Sequence, residues 1–249
     1  MSGHSKWHSI RHKKAVVDAK RGKQFAKLIK EIAVAARLGG GDPDANPRLR
    51  TAIASAKAMN MPGDNIKRSI QRGTGELEGV QYEEVVYEGY GSGGVAVFVE
   101  ALTDNKNRTV AELRNVFTKH GGNLSEPGSV AWMFSKKGIF MVEEEVVGEE
   151  RLMEVALEAG ADDITLSEGA YEVTCPWESF VALKEALEEA GIPTTLAEVI
   201  QVPQSTIQIE GGQAQQVLRL MDGLDDHDDV QKVSANFDIP VEVMEEVSA

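Results

Sequence analysis

One cysteine, few aromatic residues and no long apolar run set the first limits on this chain of 249 residues. Cys175 has no second cysteine to pair with, which excludes an internal disulfide. Its place before Pro176, at the end of an apolar stretch, suits a small core residue better than a reactive thiolate. A lone thiol fits a reducing compartment, and a cytoplasmic location is expected. No apolar segment approaches the roughly 18–20 residues of a membrane span. No apolar block follows the basic N-terminus, as it would in a secretory signal. Neither membrane contact nor export is therefore expected. What is present, 42% hydrophobic and 27% charged residues, is enough for buried cores in two or three domains.

The net charge of −14 conceals a polarity. Residues 1–77 hold 16 Lys+Arg against 6 Asp+Glu, a net +10, which leaves 10 against 34, a net −24, for 78–249. A concentrated positive region is the electrostatic footprint of a surface that meets a polyanion. Solvated faces of opposite sign are the plainer alternative.

The basic region is organised around Lys20–Leu38. On a helix at 100° per residue, Lys20, Lys23, Lys27 and Lys30 share one stripe, with Phe25, Leu28, Ile29, Ile32 and Ala36 on nearly the opposite face. The apolar face asks for partner helices and the lysine face for an anion. Ahead of it, the arm HSKWHSIRHKK carries Lys6, Arg11, Lys13 and Lys14 without apolar periodicity. Trp7 could stack on a base or pin the arm to the helices. Gly39-Gly40-Gly41 stops the first helix. Asn46 caps a second, opening on Pro47 and burying Leu49, Ala52, Ile53 and Ala56. Pro62 restarts a third, with Ile66 and Ile70 inward and Arg68 and Arg72 outward. The last two helices, joined by a tight turn, invite comparison with a helix-turn-helix. The expected nucleic-acid-binding set is Lys6, Trp7, Arg11, Lys13, Lys14, Lys20, Arg21, Lys23, Lys27, Lys30, Arg68 and Arg72.

The acidic remainder alternates strand and helix signals. Strands are expected at 85–88 and 95–101 around a glycine turn, then a helix at 108–119 and a strand at 129–134. A strand at 138–145, a helix at 149–160, strands at 163–167 and 171–175, a helix at 177–190 and a strand at 195–202 follow. That β-α-β-β-α-β order is the split pattern of ferredoxin-like units. A helix at 212–222 and a strand at 229–237 have no partner there and are expected to complete the earlier sheet. The expected fold is α+β: an arm plus three-helix bundle (1–77), then two α/β sandwich-like domains. The middle one is discontinuous (78–134 with 205–249) and the other ferredoxin-like (135–204).

Several constellations fall short of chemistry. His4, His8 and His12 would align on a helix, but neighbouring cations oppose a dication and no cysteine or carboxylate completes the set. Asp42, Asp44 and Asn46 imitate a calcium loop, yet Pro47 stands at the glycine position and Ile53 at the final glutamate. The turn Gly89–Gly94 lacks the P-loop lysine, and Tyr90 occupies the upstream glycine position that a nucleophile elbow at Ser92 would need. His120 before Gly121-Gly122 sits where a helix should end. Asp225, Asp226, Asp228 and Asp229 around His227 suit a solvated helix-to-strand loop better than a divalent-ion site. No catalytic residue, metal or cofactor is expected, and a non-enzymatic protein is the reading adopted.

GHSKW at 3–7, KRGKQFAKLIKEI at 20–32, AARLGGGDPDANPRLR at 35–50 and NMPGDNIKRSIQRGTGE at 60–76 resemble the YebC family. So do YEGYGSGG at 87–94, EALTDNKNRT at 100–109, KHGGNL at 119–124, GSVAWMF at 128–134 and NFDIP at 236–240. Ser92 departs from a usual proline and Gly63 from a usual charged residue, which touches local turn rigidity only. The resemblance implies a DNA-binding transcriptional regulator, or a ribosome- and rRNA-associated translation factor as among mitochondrial and bacterial relatives. Phosphate contacts are common to DNA and RNA, so both partners stay open. The acidic domains are free to engage a protein partner. A protein-binding scaffold, with the basic domain on an acidic partner or on the chain's own acidic domains, and a hydrolase using the glycine turn are the more remote alternatives.

Overall fold

Asn46 shows how the sequence starts a helix. Its side-chain oxygen accepts from the Leu49 N–H (3.1 Å), while its amide donates to Ala35 O (2.8 Å) and Gly40 O (2.9 Å). One side chain thus caps α2 (Pro47–Ala58) and ties down the end of α1 (Arg21–Gly39). The computed structural model describes Trp7, residues 21–167 (of Arg21, the backbone alone), residues 169–240 and Val243. A third helix, α3 (Gly63–Thr74), follows Pro62 and ends at Gly75 in the left-handed conformation. Ile32, Ala35, Ala36, Leu49, Ala52, Ile53, Ala56, Met61 and Ile66 form the core of this bundle.

Small residues bring α1 and α3 together. A Cβ at Gly73 would collide with the Ala33 carbonyl oxygen and lie 2.8 Å from Ala36 Cβ. Gly73→Ala should therefore push the two helices apart and cost about 1–3 kcal/mol, the usual penalty of overpacking. Urea unfolding of the variant checks this; a loss below ~0.5 kcal/mol would show that the helices separate freely.

The first sheet has the order β3-β1-β2-β9. Hairpin β1 (Glu83–Tyr90) and β2 (Ala96–Thr103) pairs Tyr90 with Ala96 across the glycine turn, where Gly93 and Gly94 take positive φ. Val97, Val99 and Ala101 of β2 face α4 (Lys106–Lys119) and α7 (Gly211–Asp225), in a core with Leu113, Phe117, Val217 and Leu220. Residues from distant parts of the chain close this sheet: β3 (Asn123–Ser125) on one edge and β9 (Val230–Ala235) on the other. The middle unit is thus discontinuous. Short strands β8 (Ile207–Gln208) and β10 (Phe237–Asp238) pair beside it in parallel.

Between β3 and β8 lies the second sheet, order β5-β6-β4-β7, formed by β4 (Phe134–Glu143), β5 (Asp163–Ser167), β6 (Ala170–Pro176) and β7 (Leu196–Pro203). With α5 (Glu149–Glu158) and α6 (Phe180–Glu189) it is a βαββαβ unit whose first strand lies between the third and fourth, the ferredoxin-like arrangement. Phe140, Val173, Leu152 and Leu183 are fully buried between sheet and helices. Cys175 belongs to the same core, and burial pushes its thiol up to about 11.

Two expectations about elements change. Ser129–Phe134 is not a strand; Ala131–Met133 is a 3-10 turn, because the backbone N–H groups of this loop go to a carboxylate instead of a neighbouring strand. Strands β3 and β8 are additional; two or three residues are too few to show an alternating pattern.

Candidate nucleic-acid interface

The lysine stripe exists, and it is occupied. Lys23, Lys27 and Lys30 lie along one face of α1 and reach the C-terminal end of α7 and the loop to β9. Lys23 Nζ donates to Asp226 O (3.0 Å), Lys27 Nζ to Asp225 O (2.7 Å), and Lys30 Nζ to Asp228 O (2.9 Å) and Asp229 Oδ1 (2.6 Å). The last carbonyls of a helix lack intrahelical donors and carry the negative end of its dipole. Ammonium groups spaced by one helical turn satisfy both needs. Lys27 is only 8% exposed as a result, and Val34, one turn beyond Lys30, is buried outside the bundle's own core.

Asp229 is the hub. Besides Lys30, it accepts from Arg108 Nη2 (2.7 Å) and Thr109 Oγ1 (2.7 Å) through Oδ2. Burial pushes its carboxyl up, and the hydrogen bonds from Lys30, Arg108 and Thr109 outweigh that, holding it well below the usual carboxylate range. His227 Nδ1 accepts the Asp229 N–H (3.1 Å), so Nε2 carries the proton that bonds Glu112 Oε2 (2.9 Å). Glu112, His227 and Asp229 bring ligand atoms within 4.8 Å of one another. Those atoms are committed to the bonds just described, and two cations beside Asp229 oppose a dication. The loop is therefore neither a freely solvated turn nor built as a metal cradle; it is the seat of α1. A second anchor lies alongside, where Arg48 bonds both Glu31 oxygens (2.7 and 3.0 Å) and Glu84 of β1 (2.7 Å).

The expected binding residues separate into three groups. Lys6, Arg11, Lys13, Lys14 and Lys20, with the Arg21 side chain, lie outside the described residues, as do His4, His8 and His12. Trp7 corrects the expectation: at 3% exposure it is part of the first sheet's core, with Val97, Phe117 and Val217, and offers no face to a base. Lys23, Lys27 and Lys30 meet the chain's own acidic loop. Arg68 and Arg72 are exposed on α3. Nearby, Lys57 on α2 and Lys67 on α3 are also exposed, and none of these four makes an ion pair with a described residue. Lys57 and Lys67 line the groove between the two helices, together with Ile53, Ile66 and Ile70. The sequence carries a signal for these two lysines, since Lys67 directly follows the buried Ile66 and Lys57 stands one helical turn after the buried Ile53, but it is weaker than the dense stripe on α1.

His120 ends α4 as expected, followed by Gly121 at positive φ. Burial first, then Lys119 and Arg219, lower its pKa. Among the described residues, no helix is long and apolar enough to cross a membrane.

A basic helical bundle seated on the acidic end of a discontinuous α/β unit, with a ferredoxin-like unit inserted, defines the class. Residues 5–76 match the TACO1/YebC protein N-terminal domain and residues 82–237 the TACO1/YebC second and third domain; the chain belongs to this family. A probable transcriptional regulatory protein of Geobacter sulfurreducens is 58% identical over 247 residues, spanning 99% of this chain and 100% of that one. Another, from Desulforapulum autotrophicum, is 58% identical over 243 residues and spans 98% of each. The crystal structure of a conserved hypothetical protein from Aquifex aeolicus superposes with a TM-score of 0.82 at 53% identity, covering 91% of this chain and 93% of that one.

Proposed function

We propose that this chain is a non-enzymatic, nucleic-acid-binding regulator of gene expression that docks on phosphates through its helical bundle. The observation that carries the reading is the set of exposed cations on α2 and α3 that make no ion pair with a described residue once the lysine stripe is accounted for: Lys57, Lys67, Arg68 and Arg72. The charge of the arm, Lys6, Arg11, Lys13, Lys14, Lys20 and Arg21, adds to this footprint. Relatives named as probable transcriptional regulatory proteins support it. Like charge disfavours phosphate contacts over most of the acidic units' surface, so the bundle carries the bulk of the electrostatic docking.

Changing Lys57, Lys67, Arg68 and Arg72 together to glutamine preserves helix propensity. It should flatten the dependence of log affinity on log salt by about 0.7 per contact on single strands and 0.9 on duplex DNA, or about 3–4 for four contacts. Equal salt slopes for wild type and variant would remove this face from the interface.

A further inference from the structure

Away from the bundle, one end of a strand brings two exposed indoles near an ammonium that makes no salt bridge with a described residue. Trp132 is 69% exposed and Trp177 48%, unusual for the largest apolar side chain. Both stand at the same end of β4. Trp132 precedes the strand by two residues, and Trp177 follows Pro176, the register partner of Lys137. Trp132 is rigidly presented. Its Nε1–H donates to Ser129 O (3.1 Å), and the N–H groups of Gly128, Val130 and Ala131 donate to the buried Glu88 carboxylate at 2.6, 2.6 and 2.7 Å. Val130 of this loop is sealed in the core against Phe98 and Phe134, while the indole beside it stays in solvent.

Lys136 Nζ lies 4.9 Å from the Trp177 ring centroid. Residues 120–204 contain four Lys+Arg and 17 Asp+Glu. Lys137, Arg151 and Lys184 each pair with a carboxylate, to Asp162, Glu154 and Glu188. Lys136 makes no such pair among the described residues, although it stabilises the charged form of the half-buried Glu100 from farther off. In so acidic a segment, a cation left over an indole is charge available to an incoming anion.

We infer that Trp132, Trp177 and Lys136 form a stacking platform for single-stranded nucleic acid, the indoles taking unpaired bases and the ammonium a phosphate. Stacking on a side chain needs a base whose face is open, which a duplex does not offer. An apolar helix would need a continuous groove; the contacts these rings make are polar instead, the Ser129 carbonyl at Trp132 and the Lys136 ammonium over Trp177. The inference rests on the reading that this chain binds nucleic acid and adds a second contact, outside the basic bundle, that would select unpaired strands.

The test uses the full-length protein and a short oligouridine, with a duplex of equal length as control. The oligouridine should quench tryptophan emission in the wild type. Trp132→Ala and Trp177→Ala should each weaken single-strand binding by about 5- to 150-fold, the equivalent of 1–3 kcal/mol per stacked base. Duplex affinity should be unchanged, and Trp132→Phe should keep most of the single-strand affinity. Oligouridine binding that depends on Lys57, Lys67, Arg68 and Arg72 but leaves tryptophan emission unmoved would overturn the platform alone. Equal losses on single strand and duplex would also overturn it. A wild type that binds no nucleic acid would overturn both readings.

Discussion

Replacing Lys30 by methionine should cost about 2–5 kcal/mol of folding free energy, the range for removing one member of a buried, hydrogen-bonded charge pair. Methionine keeps most of the stem, so packing changes little, and what is lost is the ammonium. Asp229 Oδ1 then loses its cation, and the carbonyl of Asp228 loses a donor. Arg108 still holds the other oxygen, which places the loss toward the lower end. The contact also has a pH signature. Asp229 has a folded pKa below its unfolded value of about 3.9, so its stabilisation is fully present above that pH. It is lost as pH falls through the folded value. Wild-type stability should therefore decline below about pH 4, and Asp229→Asn should flatten that decline. Urea unfolding across pH, with hydrogen exchange of the α1 amides, checks both. A loss under ~0.5 kcal/mol, typical of an exposed ion pair, would mean that α1 is not held on the acidic loop in solution.

The second large effect is at Trp7. Trp7→Ala should destabilise the protein by about 3–5 kcal/mol, as for other buried aromatic truncations. For a chain of this size that is roughly 6–20 °C in melting temperature. Removal of residues 1–16 should do at least as much damage, because it takes the same indole out of the core shared with Val97, Phe117 and Val217. The arm's lack of apolar periodicity gives the contrary expectation, that it can be cut away without touching the folded units. Calorimetry on the substituted and truncated proteins decides between them: a melting temperature within ~2 °C of wild type would place Trp7 outside the core.

Much of the fold is legible from residues. Asn46-Pro47 marks the start of α2 because the cap and the fixed φ are local chemistry. Strand β5 at 163–167 and the βαββαβ order follow from the succession of strand and helix signals, each again within a short window. The Ser129–Phe134 segment misleads for a nonlocal reason. Glu88, about forty residues earlier, supplies the acceptors that a strand partner would otherwise provide. Trp7 could be read two ways because a tryptophan in a basic arm looks the same whether its ring meets a base or a core.

The stripe of Lys23, Lys27 and Lys30 divides the two kinds of information most clearly. The sequence by itself determined that these residues share one face of a helix and that the face needs an anionic partner, since spacing and charge are local properties. It could not choose the partner, because a lysine ammonium is a point charge that serves a phosphate, a carboxylate or a helix-end carbonyl alike. Only the tertiary structure decided, by bringing the end of α7, from 198 to 203 residues along the chain, against α1. Lys57, Lys67, Arg68 and Arg72, on α2 and α3, stay exposed and make no ion pair with a described residue, because the carbonyls and carboxylates of the acidic loop go to α1.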